Sequence, residues 1–260
     1  MEYRILGPIR VLDEGHETYL NARKVQTLLA ALLIKADQIV SVDQLIAEIW
    51  HEDPPRRVNA SLHVYVSQVR KFLTRPGSGG SGLVTRVPGY QLSLGENTLD
   101  VREFQRRMTA GRNHLLMGRL EQADRGFGAA LGLWRGRALG ELSGDGPIIQ
   151  GFTVWAEEAR LECLELQIET RLAMGQYRQV VGPLFQLISE IPMRETFYRQ
   201  LMLALYQADR QADALRVYQS ARSTLNAELG VEPCQALRDL QHAILVGDVR
   251  DSRELTTFAS

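Results

Sequence analysis

With 260 residues, 45% of them hydrophobic and 23% charged, the chain is long enough to bury two ordinary cores, which excludes disorder over most of its length. No apolar run reaches the roughly 18 residues of a membrane span, and the opening residues carry Glu2, Arg4 and Arg10 in place of a basic start and an apolar stretch, so export and membrane insertion are not expected and the protein is assigned to the cytoplasm. The formal net charge of -1 hides an asymmetry: residues 1–95 hold 11 Lys and Arg against 9 Asp and Glu, and the remainder holds 19 against 22.

In chain order, Tyr3-Arg4-Ile5-Leu6 and Ile9-Arg10-Val11-Leu12 are short β-prone runs broken at Gly7-Pro8, and Thr18-Tyr19-Leu20 offers a third strand after a polar turn. Asn21 is a candidate cap for a helix from Ala22 to about Ala36, in which Val25, Leu28, Leu29, Leu32 and Leu33 recur at helical spacing. Ser41-Val42-Asp43-Gln44 reads as a capping box that starts a second helix running from Val42 to Trp50. Pro54-Pro55 ends the connection, and a third helix runs from near Arg57 to Leu73, before Thr74-Arg75-Pro76 stops it.

Leu62, Val66, Val69 and Leu73 form a narrow apolar stripe on that third helix. Ala60, Val64, Ser67 and Lys71 fall opposite, flanked by His63 and Gln68. A helix seated in the major groove needs small or apolar residues at its centre for close approach and contact with thymine methyl groups, whereas a purely solvated face rarely has them. From Arg56 to Tyr90 there are Arg56, Arg57, Arg70, Lys71, Arg75 and Arg86 and no acid at all. Such a patch suits phosphate, or is a solvated face that happens to lack acids.

Gly77 to Gly82 form a glycine-rich loop, and Leu83–Val87 and Tyr90–Leu94 read as two strands turning at Pro88-Gly89. A helix followed by a hairpin is the wing of a winged helix. No Lys-Ser/Thr pair follows the loop, which leads into a strand, so it is not a phosphate cradle of the Walker type. Cys163 and Cys234 lie far apart without metal-ligand spacing and are expected as reduced thiols. No metal site, cofactor site or catalytic constellation stands out.

From Leu99 onward the chain reads as almost continuous helix with an internal repeat. Gly118, Leu120, Ala123, Phe127 and Ala130 set a pattern that Gly175, Tyr177, Val180, Leu184 and Leu187 repeat, as do Asp209, Gln211, Ala214, Tyr218 and Ala221. The last two units start 34 residues apart (175 to 209), the tetratricopeptide period, and the first two 57 apart (118 to 175), which implies an extra helix or long loop around Trp134 to Trp155. The expected fold is mainly α with a small β component: a winged helix-turn-helix over residues 1–95, an all-α tetratricopeptide-like helical repeat domain over 99–248, and a C-terminal tail at 249–260.

Tyr3 to Leu12, VSVDQLIAEIW at 40–50, Pro54 to Leu73 with LHVYVSQVRKFL, LVTRVPGYQL at 83–92, LDVREF at 99–104, LGLWRGRAL at 131–139, the stretch ADRQADALRVYQSARSTLNAELGVEP at 208–233 and Leu237 to Leu245, taken in this order, resemble the Streptomyces antibiotic regulatory protein family, in which an OmpR-type winged helix precedes a bacterial transcriptional activator domain. The resemblance covers nearly the whole chain. It implies a pathway-specific, sequence-specific DNA-binding transcription activator of an antibiotic or secondary-metabolite gene cluster, and not an enzyme. It implies double-stranded promoter DNA as ligand, side-by-side protomers on direct repeats near the -35 region, and recruitment of RNA polymerase holoenzyme including its sigma factor.

Carried residue by residue, the resemblance assigns base contacts to Ala60, His63, Val64, Ser67, Gln68 and Lys71, and a wing contact to Arg86. Arg56, Arg57, Asn59 and Arg70 are expected mainly at phosphates. The helix departs from arginine-rich relatives in lacking an Arg at the centre of its docking face, so readout rests on Ser67, Gln68, His63 and shape, with Gln68 suited to adenine. The turn holding His51, Glu52 and Asp53 is a candidate polymerase contact or an ordinary solvated connector. The rival function is a protein-interaction adaptor in which the repeat domain acts and the winged helix has lost its DNA role.

Overall fold

The structure, a computed structural model, describes residues 1–74, 82–142 and 146–249. Arg75, most of the glycine-rich loop and nearly all of the 249–260 tail lie outside the described residues. Strand β1 (Glu2–Arg4) pairs antiparallel with β2 (Arg10–Asp13), which pairs with β3 (His16–Thr18). The third strand starts earlier than Thr18, because Glu14 and Gly15 both take positive φ (48° and 83°) and close a tight turn.

Helix α1 (Arg23–Ile34) buries Val25, Leu28, Leu29, Leu32 and Leu33 as the periodicity predicts. Asn21 does not cap it; Ala22 occupies the cap position and no side chain bonds the first turn. The helix also ends before Ala36, and the chain reverses at Asp37 with φ 67°. Strand β4 (Ile39–Ser41) leads into α2 (Val42–Trp50), where the capping box forms: the Ser41 amide donates to Gln44 Oε1 at 3.0 Å and the Gln44 amide donates to Ser41 Oγ at 3.2 Å.

Helix α3 (Val58–Leu73) precedes the hairpin β5 (Leu83–Arg86) and β6 (Gly89–Leu92), and β4 adds to β6, giving a three-stranded antiparallel sheet in the order β4-β6-β5. Each hairpin strand is shorter than expected, and Val87 stands in the turn. A two-residue strand, β7 (Thr98–Leu99), lies parallel to β1 and completes a four-stranded sheet ordered β3-β2-β1-β7.

The helices that follow are α4 (Asp100–Leu116), α5 (Leu120–Leu131), α6 (Pro147–Ala173), α7 (Tyr177–Glu190), α8 (Glu195–Gln207), α9 (Gln211–Leu229) and α10 (Gln235–Val246). Two compact units divide the chain: Met1–Thr109 with Ala129–Leu161, and Ala110–Gly128 with Glu162 onward. These units cut across the change in sequence character at 95–99, and buried polar bonds explain why. The Asp100 carboxylate, 4% exposed, accepts the amides of Ile5 and Leu6 at 2.8–2.9 Å and pairs with Arg135 Nη2 at 3.2 Å. Burial pushes its carboxyl above the usual range, against the pull of those amides and of Arg135. The Arg135 and Leu139 amides donate to the Leu6 and Ile5 carbonyls, both at 2.9 Å, so these residues after α5 are stitched to the segment that follows β1.

The second unit carries the repeat. Gly118, Gly175 and Asp209, the first position of each repeat, all have φ between 60° and 73°, the left-handed conformation that ends a helix. Two residues later Leu120, Tyr177 and Gln211 each begin a helix. Ala123, Val180 and Ala214 are buried at the small position, and Phe127, Leu184 and Tyr218 at the large one. Phe127 packs so closely on α4 that a Cβ on Gly111 would stand 2.7 Å from its ring. The extra length between the first two repeats is an irregular stretch after α5 plus the long α6, 27 residues.

Candidate nucleic-acid interface

Leu62, Val66, Val69 and Leu73, each no more than 2% exposed, seat α3 against α1 and α2. About 2 kcal/mol of apolar burial per such side chain makes that orientation hard to reverse. The other side of the helix faces outward: Asn59, Ala60, His63, Val64, Ser67, Gln68 and Lys71 are all exposed. Val64 is 53% exposed at the centre of this face, between the short side chains of Ala60 and Ser67, so the surface has low relief and allows close approach to a partner's flat edges. Arg56 and Arg57 are exposed just before the helix starts.

The wing is held by backbone and by shape. The Val42 amide donates to the Pro88 carbonyl at 3.2 Å, which ties the hairpin turn to the start of α2. A Cβ on Gly89 would collide with the Val40 carbonyl and the Ser41 backbone, so only glycine fits where β6 crosses β4. Asp37 secures the other end, accepting the Leu94 amide at 2.9 Å and Arg102 Nη1 at 2.8 Å. The Leu94 amide and the Arg102 guanidinium together hold its carboxyl below the usual range. The outcome is that Arg86 and Val87 project at the tip, Val87 with 92% of its surface in solvent.

Arg70 has partners other than the phosphate expected for it. Its Nε donates to the Leu83 carbonyl at 3.1 Å, its Nη2 donates to Thr85 Oγ1 at 2.8 Å, and its guanidinium lies 5.9 Å from the centre of the Tyr90 ring. His51, Glu52 and Asp53 are exposed beyond α2, with His51 at φ 55°. Behind that turn Trp50 stacks on Tyr65 of α3 at 5.6 Å, and Lys24 Nζ sits 5.4 Å over the Trp50 ring, adding a cation to the segment's edge that sequence spacing did not reveal.

Sequence reasoning also missed Glu48. Fully buried on α2, its carboxylate accepts the amides of Ile148 at 2.9 Å and Ile149 at 3.0 Å in the first turn of α6, where an anion complements the helix dipole. Gly146 is required beside it, since a Cβ there would strike the carboxylate. The signal was legible: Leu45, Glu48 and Ile49 fall on one stripe, and an acid in an apolar register asks for a buried partner. Among the described residues no group of His, Cys, Asp or Glu is arranged to hold a metal, and no helix is long and apolar enough to cross a membrane.

Two family models match the chain: Bacterial transcriptional activator domain over residues 99–245, and Transcriptional regulatory protein, C terminal, over residues 16–101. The transcriptional regulatory protein EmbR of Mycobacterium tuberculosis is 36% identical over 260 residues, 98% of this chain and 66% of EmbR. The chain thus spans about two thirds of that relative's length. The regulatory protein DnrI of Streptomyces peucetius is 34% identical over 254 residues, covering 95% of this chain and 93% of DnrI. The transcriptional regulator RedD of Streptomyces coelicolor is 35% identical over 251 residues, covering 95% of this chain and 71% of RedD. A solved structure of Mycobacterium tuberculosis EmbR in complex with a low affinity phosphopeptide superposes with a TM-score of 0.91 at 35% identity, over 98% of this chain and 67% of that one. These matches are to regulators and not to enzymes, and the expected fold, a winged helix-turn-helix followed by an all-helical domain, is the one they share. The chain belongs to the Streptomyces antibiotic regulatory protein family of transcriptional regulators, with an OmpR-type module followed by a bacterial transcriptional activator domain.

Proposed function

We propose that the chain is a sequence-specific DNA-binding transcription activator, a pathway-specific regulator of an antibiotic or secondary-metabolite gene cluster, acting in the cytoplasm. The observation that carries this is the exposed face of α3: Val64 at 53% exposure among Ala60, His63, Ser67, Gln68 and Lys71, inside a segment from Arg56 to Tyr90 without an acid. The helix face enters the major groove, and Arg86 reaches the neighbouring minor groove or backbone from the wing tip. Gln68 is suited to adenine, and Arg56, Arg57 and Asn59 neutralise or bond phosphates at the helix start.

One such module with about half a dozen phosphate contacts binds modestly and loses affinity steeply with salt, by about 0.9 in the double-logarithmic slope per phosphate. Two protomers side by side on direct repeats near the -35 region supply the missing affinity. Recruitment of RNA polymerase holoenzyme, sigma factor included, uses the exposed turn of His51, Glu52 and Asp53.

A gel-shift series with the full chain, its Lys71→Ala and Arg86→Ala variants, and duplexes enriched by the wild-type chain from random sequence tests the assignment. Each variant is expected to bind about tenfold more weakly, with a salt slope about 0.9 shallower where a phosphate contact is lost. Equal binding by all three proteins discredits the DNA role and favours an adaptor acting through the repeat unit. In vitro transcription from the same duplexes is expected to rise with added protein, and a fall would make the chain a repressor.

A further inference from the structure

We propose that Arg70 is a positioning residue that locks the wing to α3, so that the helix face and Arg86 meet DNA as one rigid element; this rests on the DNA-binding function above. The guanidinium touches both strands of the hairpin. Nε holds the Leu83 carbonyl and Nη2 holds Thr85 Oγ1, both on β5, while Cζ lies 5.9 Å from the centre of the Tyr90 ring on β6. Tyr90 is 5% exposed and is paired across the sheet with Thr85 on one side and Val40 on the other. Thr85 immediately precedes Arg86, so the bond to its hydroxyl fixes the strand one residue from the tip. The backbone under Arg70 is itself pinned, because the Thr74 hydroxyl donates to the Arg70 carbonyl at 2.7 Å.

The chemistry calls for arginine. Two donors at a fixed angle reach two acceptors while the cation stays beside an aromatic ring, and a lysine ammonium, a point charge on a flexible stem, cannot do both. A residue whose role is to reach a phosphate would tolerate Lys; a latch would not. Its effect on DNA should also pass through Arg86 and not add to it.

The test uses the full chain with Arg70→Lys, Arg70→Ala, Thr85→Val, Arg86→Ala and Arg70→Ala/Arg86→Ala, each bound to duplexes enriched by the wild-type chain. Arg70→Lys is expected to bind as weakly as Arg70→Ala, Thr85→Val to weaken binding with no change in charge, and the double variant to bind within about twofold of Arg86→Ala, as coupled residues do. Near wild-type binding by Arg70→Lys, together with multiplicative losses in the double variant and a salt slope shallower by a further ~0.9, would overturn the latch in favour of a direct phosphate contact. Hydrogen exchange on the free proteins decides the same point without DNA. The amides of β5 and β6 should exchange at least about tenfold faster in Arg70→Lys while those of Leu62–Leu73 keep their protection; unchanged exchange in the wing refutes the latch. If no duplex is enriched, the DNA function fails, and the exchange measurement still decides whether Arg70 holds the wing.

Discussion

Side chains of like charge or chemistry play different parts according to where they can reach. Lys71 and Arg70 are neighbours on α3, yet Lys71 is exposed and Arg70 is bonded to the hairpin beside it. The helical wheel reads the first placement directly. It cannot read the second, because the partners of Arg70 lie 13 and 15 residues further along, on a strand whose position only the tertiary fold sets. The cysteines separate in the same way. Cys163 is fully buried with its Sγ directed at the Phe127 carbonyl at 3.8 Å, and burial drives its thiol up to about 12. Cys234 is exposed at its residue, though burial of the thiol and the nearby Glu195 raise its value as well. A thiol titration at pH 7.5 is therefore expected to find one slowly reacting group in the native protein and a second only after denaturant is added. Two fast equivalents, or none before reduction, would contradict these environments.

At the scale of elements, the strongest local signals hold, while weaker ones such as the Asn21 cap do not. The capping box at Ser41 and Gln44 and the apolar stripe of α3 follow from spacings of three and four residues, and both appear as expected. Strands β4 and β7 did not show in the sequence because their partners are far away: Val40 pairs with Tyr90, and Tyr3 with Leu99. Two or three residues carry too little periodicity to declare a strand by themselves. The repeat unit was legible because each repeat restates the same demands, a left-handed residue, a helix start, then a small and a large buried side chain. Glu48 gives the sharpest prediction at this scale. Glu48→Ala strips one buried and one half-buried amide of α6 of their acceptor, at a cost of about 1–3 kcal/mol. Trp50, Trp134 and Trp155 all belong to the first compact unit, so urea unfolding followed by tryptophan fluorescence reads that unit. An unchanged midpoint would show that the carboxylate does not secure the helix.

For the molecule as a whole, acid should weaken the first compact unit through carboxylates that are charged more easily in the fold than in the unfolded chain. Glu103, bonded by Arg106 and Arg107, is lowered to about 2, and Asp37 is lowered too. A carboxylate with a depressed folded value contributes stability above its unfolded value and loses it as pH falls through the folded one. The tryptophan-detected urea midpoint is thus expected to drop between pH 5 and about pH 2, and Glu103→Gln should flatten that drop; an identical profile in the variant would remove Glu103 from the account. The central claim concerns a different surface, the outward side of α3 meeting the duplex. Val64→Glu tests it most directly, since a 53% exposed side chain tolerates the change in the free protein while a carboxylate at that spot would face the negatively charged groove. Duplex binding by fluorescence anisotropy should fall at least about a hundredfold, or ~2.7 kcal/mol, with the unfolding midpoint unchanged. Wild-type binding by Val64→Glu would show that this face does not touch DNA.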